Sequence, residues 1–86
     1  MIICKVIGHV WATKKEPNLE RLKLMVVQDV RTQATYVAAD AVGAGIGEQV
    51  LVVSGSTARG VFGTEARSVP ADMAIVGIID NLDSRE

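Results

Sequence analysis

Eighty-six residues allow one domain and no linker to a second. With 49% hydrophobic side chains and 22% charged ones, the chain lies outside the low-hydrophobicity, high-charge regime of disordered proteins. Nine basic and ten acidic residues give a formal net charge of -1 with no run of like sign, so the electrostatic footprint of a nucleic-acid binder is missing.

By the usual scaling of accessible surface with mass, a folded chain of this size exposes roughly 4,900 Å² and buries only about 63% of its unfolded surface. That interior is small for so apolar a composition. Part of the apolar surface is therefore expected to be covered by a partner, and self-assembly is the simplest cover. Cys4 and His9 are the single cysteine and the single histidine, which excludes an internal disulfide and a structural zinc site built from these two types, and points to a reducing compartment. Lys5 interrupts the opening MIICKVIGHVW, so the start lacks the continuous apolar region of a secretory signal. Apolar runs such as Val50 to Val53 are far shorter than the roughly 20 residues of a membrane-spanning helix, so no membrane partner is expected.

Valine and isoleucine total 20 against 5 leucines, and branched side chains favour a pleated sheet, so the chain reads as mostly strand. The first strand is predicted over Ile2 to Thr13, with Cys4, Val6, Gly8, Val10 and Ala12 on a small-residue face and Lys5, Ile7, His9 and Trp11 on the other. Lys14 to Glu20, with Pro17 and Asn18, is a solvated connection. Leu22 to Arg31 is the second strand, in which Leu24, Val26 and Val30 alternate with Lys23, Met25, Val27 and Asp29, and Gln28 breaks the apolar face. Arg31 to Gln33 turns the chain into a third strand from Ala34 to Ala39, closed by Asp40.

The glycine-rich connector GAGIGE, Gly43 to Glu48, leads into a fourth strand, Gln49 to Val53, apolar on both faces. GSTARG, Gly55 to Gly60, allows one helical turn capped by Ser56, and an irregular segment runs to Pro70. The last strand, Ala74 to Asp80, carries Ala74, Val76 and Ile78 on one face and Ile75, Gly77 and Ile79 on the other, ahead of a polar tail. Gly45 and Gly77 are expected to permit close chain approach. Five short strands punctuated by glycine and proline, with one helical turn, fit an all-β, five-stranded closed barrel of the oligonucleotide/oligosaccharide-binding type. One face of the fourth and fifth strands must look into that barrel, and the other is expected at a subunit interface.

The motifs favour structure over chemistry. Gly43, Gly45 and Gly47 are evenly spaced and precede a strand, whereas a dinucleotide fingerprint opens a helix, so a turn is favoured over a phosphate cradle. Ser56 is not in a nucleophile elbow, and it and Arg59 either serve a turn or line a passage or a contact with a neighbour. Asp40 and Asp80 are expected to accept backbone hydrogen bonds in turns, and His9 to lie at the surface or an interface. Met25 and Cys4 read as packing. Trp11, Tyr36 and Phe62 are too few for a base-stacking surface. No catalytic residue, metal ligand or cofactor site emerges.

The segments KVIGHVWATKK (Lys5 to Lys15), LKLMVVQ (Leu22 to Gln28), VAADAVGAGIGEQVLVVSGSTAR (Val37 to Arg59) and AIVGIID (Ala74 to Asp80) resemble the bacterial microcompartment vertex proteins, the EutN/CcmL family. The resemblance covers nearly the whole chain, and the glycine loop, strand and GSTAR in succession carry most of it. It implies a single vertex domain over residues 1–86: a five-stranded barrel assembling as a pentameric ring that closes the corners of a cytoplasmic polyhedral shell. Such a protein is not an enzyme, and its partners are its own copies and the hexameric shell proteins. Carried over by motif, Gly43, Ala44, Gly45, Ile46 and Gly47 with Ser54, Gly55, Ser56, Thr57 and Arg59 become candidates for the ring interface and its small central opening. The short connection after Gln28 and the loop Lys14 to Arg21 depart from many relatives. The alternative is a small barrel that binds single-stranded nucleic acid or an anionic ligand.

Overall fold

The computed structural model describes residues 1–11, 22–61 and 72–80. The expected loop after Thr13, the irregular segment to Pro70 and the tail beyond Asp80 lie outside them. Five strands form, β1 (Ile2–His9), β2 (Lys23–Asp29), β3 (Thr35–Asp40), β4 (Gln49–Ser54) and β5 (Met73–Ile79), with the short helix α1 (Ser56–Gly60) between the last two. They close in the order β1-β2-β3-β5-β4, the all-β barrel with one helical turn that the sequence predicts. All pairings are antiparallel except β3 with β5, a short parallel contact of Ala39 and Asp40 with Ala74 and Ile75. Among the described residues no helix is long and apolar enough to cross a membrane.

The interior is made by alternate residues. Cys4 and Val6 of β1, Met25 and Val27 of β2, Ala38, Val50, Val52 and Ile75 form one buried cluster, joined from the loop after β3 by Ala44. Among the described residues Met25 is the largest fully buried side chain, so the packing role read for it holds. A second cluster lies outside the barrel wall, where Val53 and Ala74 meet Ala58 of α1 with Val76 packed against them. The outward face of β4 and β5, expected wholly at a subunit interface, is thus partly covered by the chain's own helix. The small Ala58, fully buried, lets α1 sit close to the sheet.

Register decides several faces that alternation alone misplaces. In β1, Val6 stands opposite Val27 but Gly8 opposite Val26 and His9 opposite Met25, so one extra residue at Ile7 breaks the period. Gly8 therefore shares a face with the half-buried Val26 and does not continue the Cys4 and Val6 face. In β5, Leu51 stands opposite Gly77 and Val52 opposite Ile75, leaving Val76 unopposed. Ile78 then stands opposite Val50, off the face of Ala74 and Val76. On β2 the buried set is Met25, Val27 and Asp29, and Leu24 and Val26 line the outer surface.

The β2–β3 turn is stabilised by Asp29, whose Oδ1 accepts from Arg31 N at 2.8 Å and Thr32 N at 3.2 Å. These backbone bonds hold the Asp29 carboxyl below its ordinary range. Gln33 closes the turn at a φ of 70°, donating its N–H to Asp29 O at 2.9 Å.

Candidate subunit interface

The loop after β3 is fixed from both sides. Asp40 Oδ1 accepts from Val42 N at 3.0 Å and Gly43 N at 3.1 Å, and its Oδ2 accepts from Ala44 N at 2.8 Å. The role read for Asp40 from the sequence is therefore the observed one. Lys23, opposite Asp40 in the β2–β3 ladder, places its Nζ 3.7 Å from Asp40 Oδ2 and donates to Ala44 O at 3.1 Å. The carboxylate is almost sealed from solvent, with a side-chain exposure of 1%. Glu48 Oε1 accepts from Gly45 N at 2.6 Å. Gly47 N donates to Val6 O at 2.8 Å and Val6 N to Glu48 O at 2.9 Å, which ties the loop's far end to β1.

These bonds answer the anion-cradle alternative. The amides of Val42, Gly43, Ala44 and Gly45 already bind carboxylates of the chain itself, and a carboxylate at that position repels an incoming anion. The glycines serve geometry instead, since Gly43 and Gly47 take φ values of 82° and 95°, a region that L side chains rarely adopt. Within one copy, the close chain approach expected at Gly45 and Gly77 is not found. A Cβ would meet Glu48 Oε1 at 3.6 Å in the first case and Leu51 Cδ1 at 3.7 Å in the second, both ordinary contacts.

Within this loop Ala44 is buried in the barrel core, Gly45 is half-buried, and Gly43, Ile46 and Gly47 are exposed. Ser54, Gly55, Ser56 and Thr57 are exposed as well. Ser56 is the first residue of α1 and not its cap: Gly55, at a φ of 72°, supplies the carbonyl that accepts from Ala58 N at 3.1 Å. Gly55 N in turn donates to Asp72 O at 2.8 Å. Arg59 belongs to α1 by its backbone.

The two candidate segments stand at opposite ends of β4. Six residue steps from Glu48 to Ser54 at the usual strand rise separate them by roughly 20 Å. One copy therefore does not bring them together. The Lys23 partner of Asp40 was missed in sequence because it is 17 positions away, as the numbering of the pair gives. The Asp-x-x-Gly pattern of Asp40 to Gly43 signals only the local half of the arrangement.

His9 is half-buried and stacks on Trp11, with ring centroids 5.5 Å apart and planes at 27°, while Trp11 is 87% exposed. Burial first, and then the charge of Asp29, raise the Cys4 thiol above its ordinary pKa, which matches its reading as packing. Among the described residues no three His, Cys, Asp or Glu side chains gather as metal ligands.

Val42 and Ile46 are exposed apolar side chains on a loop held by Asp40, Glu48 and β1. Comparison with known proteins gives that surface a context. The carboxysome shell vertex protein CcmL of Synechococcus elongatus is 47% identical over 88 residues, covering 96% of this chain and 87% of that protein. The bacterial microcompartment shell vertex protein PduN of Salmonella typhimurium is 41% identical over 91 residues, covering 95% and 98%. Among solved structures, the GrpN pentameric microcompartment shell protein of Rhodospirillum rubrum superposes with a TM-score of 0.84 at 38% identity, covering 98% of this chain and 99% of that one. The family model described as "Ethanolamine utilisation protein EutN/carboxysome" matches residues 1–80, nearly the span over which the sequence segments and the barrel agree, and the chain belongs to this EutN/CcmL family.

Proposed function

We propose that this chain is a structural shell protein whose copies close into a pentamer and cap the vertices of a polyhedral bacterial microcompartment in the cytoplasm. The observation that carries this reading is the end-to-end match to shell vertex proteins, with a pentameric shell protein among the structural neighbours. The physical need is geometric. Flat sheets of six-fold tiles do not close, so a five-fold piece at each corner supplies curvature, and a ring of identical copies needs two different patches on each. The hexameric shell proteins of the same compartment are then its neighbours. No catalysis, cofactor, nucleic acid or membrane enters this role.

The exposed part of Gly43 to Gly47 and the Ser54 to Arg59 segment are the proposed ring surfaces and rim of the opening. Their places at opposite ends of β4 suit contacts made between copies. Native mass spectrometry of the purified chain at micromolar concentration tests the role: a five-mer is expected, and a monomer at every concentration refutes it. The binding-module alternative is not favoured, because the loop amides it would use are occupied.

A further inference from the structure

The bulge at Ile7 places the single histidine where strand alternation would not. Past it His9 stands opposite the fully buried Met25, on the inward face of the wall. His9 is accordingly half-buried, at the end of the barrel where Lys23, Asp40 and Ala44 meet. Val10 N donates to Leu24 O at 2.9 Å and pins the backbone that follows. Trp11 then stacks on His9, with ring centroids 5.5 Å apart and planes at 27°, yet is 87% exposed. The pair is asymmetric. A ladder holds the imidazole, and among the described residues the stack is the ring contact that holds the indole.

Charge around His9 comes from Lys23 on β2, Asp40 on β3, Glu48 in the loop after β3 and Lys5 on β1 itself. Lys23 is the diagonal neighbour of His9, and its ammonium lies 3.7 Å from Asp40 Oδ2. The Asp40 carboxylate is taken up by that ammonium and by three loop amides, and Glu48 Oε1 accepts from Gly45 N. The pairing of β4 with β1 stops at Lys5. Among the described residues no carboxylate lies within ion-pair distance of His9. A proton gained there meets the face of an indole instead, and that face attracts a cation more strongly than it does a neutral ring.

We propose that the His9–Trp11 stack is a pH-operated latch. Charged, His9 grips the indole against the end of the barrel. Neutral, it loosens its hold, and the exposed apolar ring swings out to solvent or to a contact. The bias is about two- to fivefold, the worth of a cation–π contact at an exposed site. A partner seated on Trp11 therefore binds differently on the two sides of the histidine range.

One tryptophan and one histidine in the chain mean that one emission band and one imidazole resonance report the pair. On going from about pH 8 to about pH 5, tryptophan emission of the folded chain is expected to fall, because an imidazolium in contact with an indole quenches it. His9→Gln is expected to abolish that change. Proton NMR reads the same coupling from the other side. Trp11→Leu keeps an apolar side chain without the aromatic face, and by linkage it should lower the titration midpoint of the His9 Cε1 proton by about 0.3 to 0.7 pH unit, the same two- to fivefold. Because Trp11 is so exposed, this variant should keep the far-ultraviolet dichroism of the wild type, and it decides the matter alone if His9→Gln perturbs folding. The latch is overturned if Trp11→Leu leaves the midpoint in place or raises it, or if a folded His9→Gln keeps the emission change of the wild type. Neither readout depends on assembly, so failure here leaves the vertex role standing, and failure to form a ring leaves the latch standing.

Discussion

Asp40 and Ala44 are joined through both ends of one peptide residue: Asp40 Oδ2 accepts the Ala44 N–H at 2.8 Å, while Lys23, 3.7 Å from the same oxygen, donates to the Ala44 carbonyl at 3.1 Å. Ala44 is fully buried in the barrel core, so these two partners are what satisfy its polar backbone groups there. The ion pair thus closes one end of the barrel and orients the loop that leaves it.

Replacing Asp40 with Ala removes the acceptor of three amides, one of them buried, and should destabilise the fold by about 2–3 kcal/mol. Lys23→Met should cost less, about 1 kcal/mol, because the Lys23 side chain is 45% exposed and one hydrogen bond, to Ala44 O, is lost instead of three. Denaturant titration of the two variants beside the wild type checks the order, and equal effects would contradict the account.

Acidification should act through Asp29. Its folded pKa lies below the ordinary value of 3.8, because the charged form accepts from Arg31 N and Thr32 N. The stabilisation is therefore complete above the ordinary value and is lost as pH falls through the folded one. The stability gap between wild type and Asp29→Asn should narrow on going from neutral pH into that acid range, as followed by urea unfolding at several pH values.

At the alkaline end the sign reverses. The raised Cys4 pKa favours the neutral thiol in the folded state, a contribution present below the ordinary value of 9.0 and lost as pH rises through the higher folded value. Alkylation by iodoacetamide should be slow in the native protein and fast in urea. Asp29→Asn removes a neighbouring negative charge and should speed alkylation of the folded form.

Backbone conformation separates glycines of similar appearance. Gly43→Ala, at a φ of 82°, should destabilise by about 1 kcal/mol, whereas Gly45→Ala has ordinary room for its Cβ and should be near neutral. Gln33 at 70° offers the opposite test, since Gln33→Gly relieves a left-handed residue in the turn and should stabilise by roughly 0.5–1 kcal/mol. Thermal unfolding of the three variants reads all three effects.

The strands were legible because their signals are local. Branched residues at Ile2, Ile3, Val26, Val27, Val50, Val52 and Ile75 declare sheet whatever surrounds them, and turn residues at Arg31 to Gln33 and Gly43 to Gly47 mark where it stops. The same locality made Asp40 readable as a turn acceptor. The candidate loop was legible as a place, by its glycines and its resemblance, but its geometry was not: no pattern shows that Ala44 turns inward while Ile46 turns outward.

By itself the amino-acid sequence determined five short strands fit for a closed barrel, since composition, strand period and turn residues are carried by near neighbours along the chain, and the resemblance of its segments pointed to the EutN/CcmL family. Tertiary structure alone decided which faces point inward, because one unopposed residue at Ile7 and another at Val76 shift every later side chain relative to its partner strand. It likewise decided that α1 covers part of the outer wall and that Lys23 meets Asp40. Those are contacts between distant segments, and they exist only once barrel closure brings the segments together.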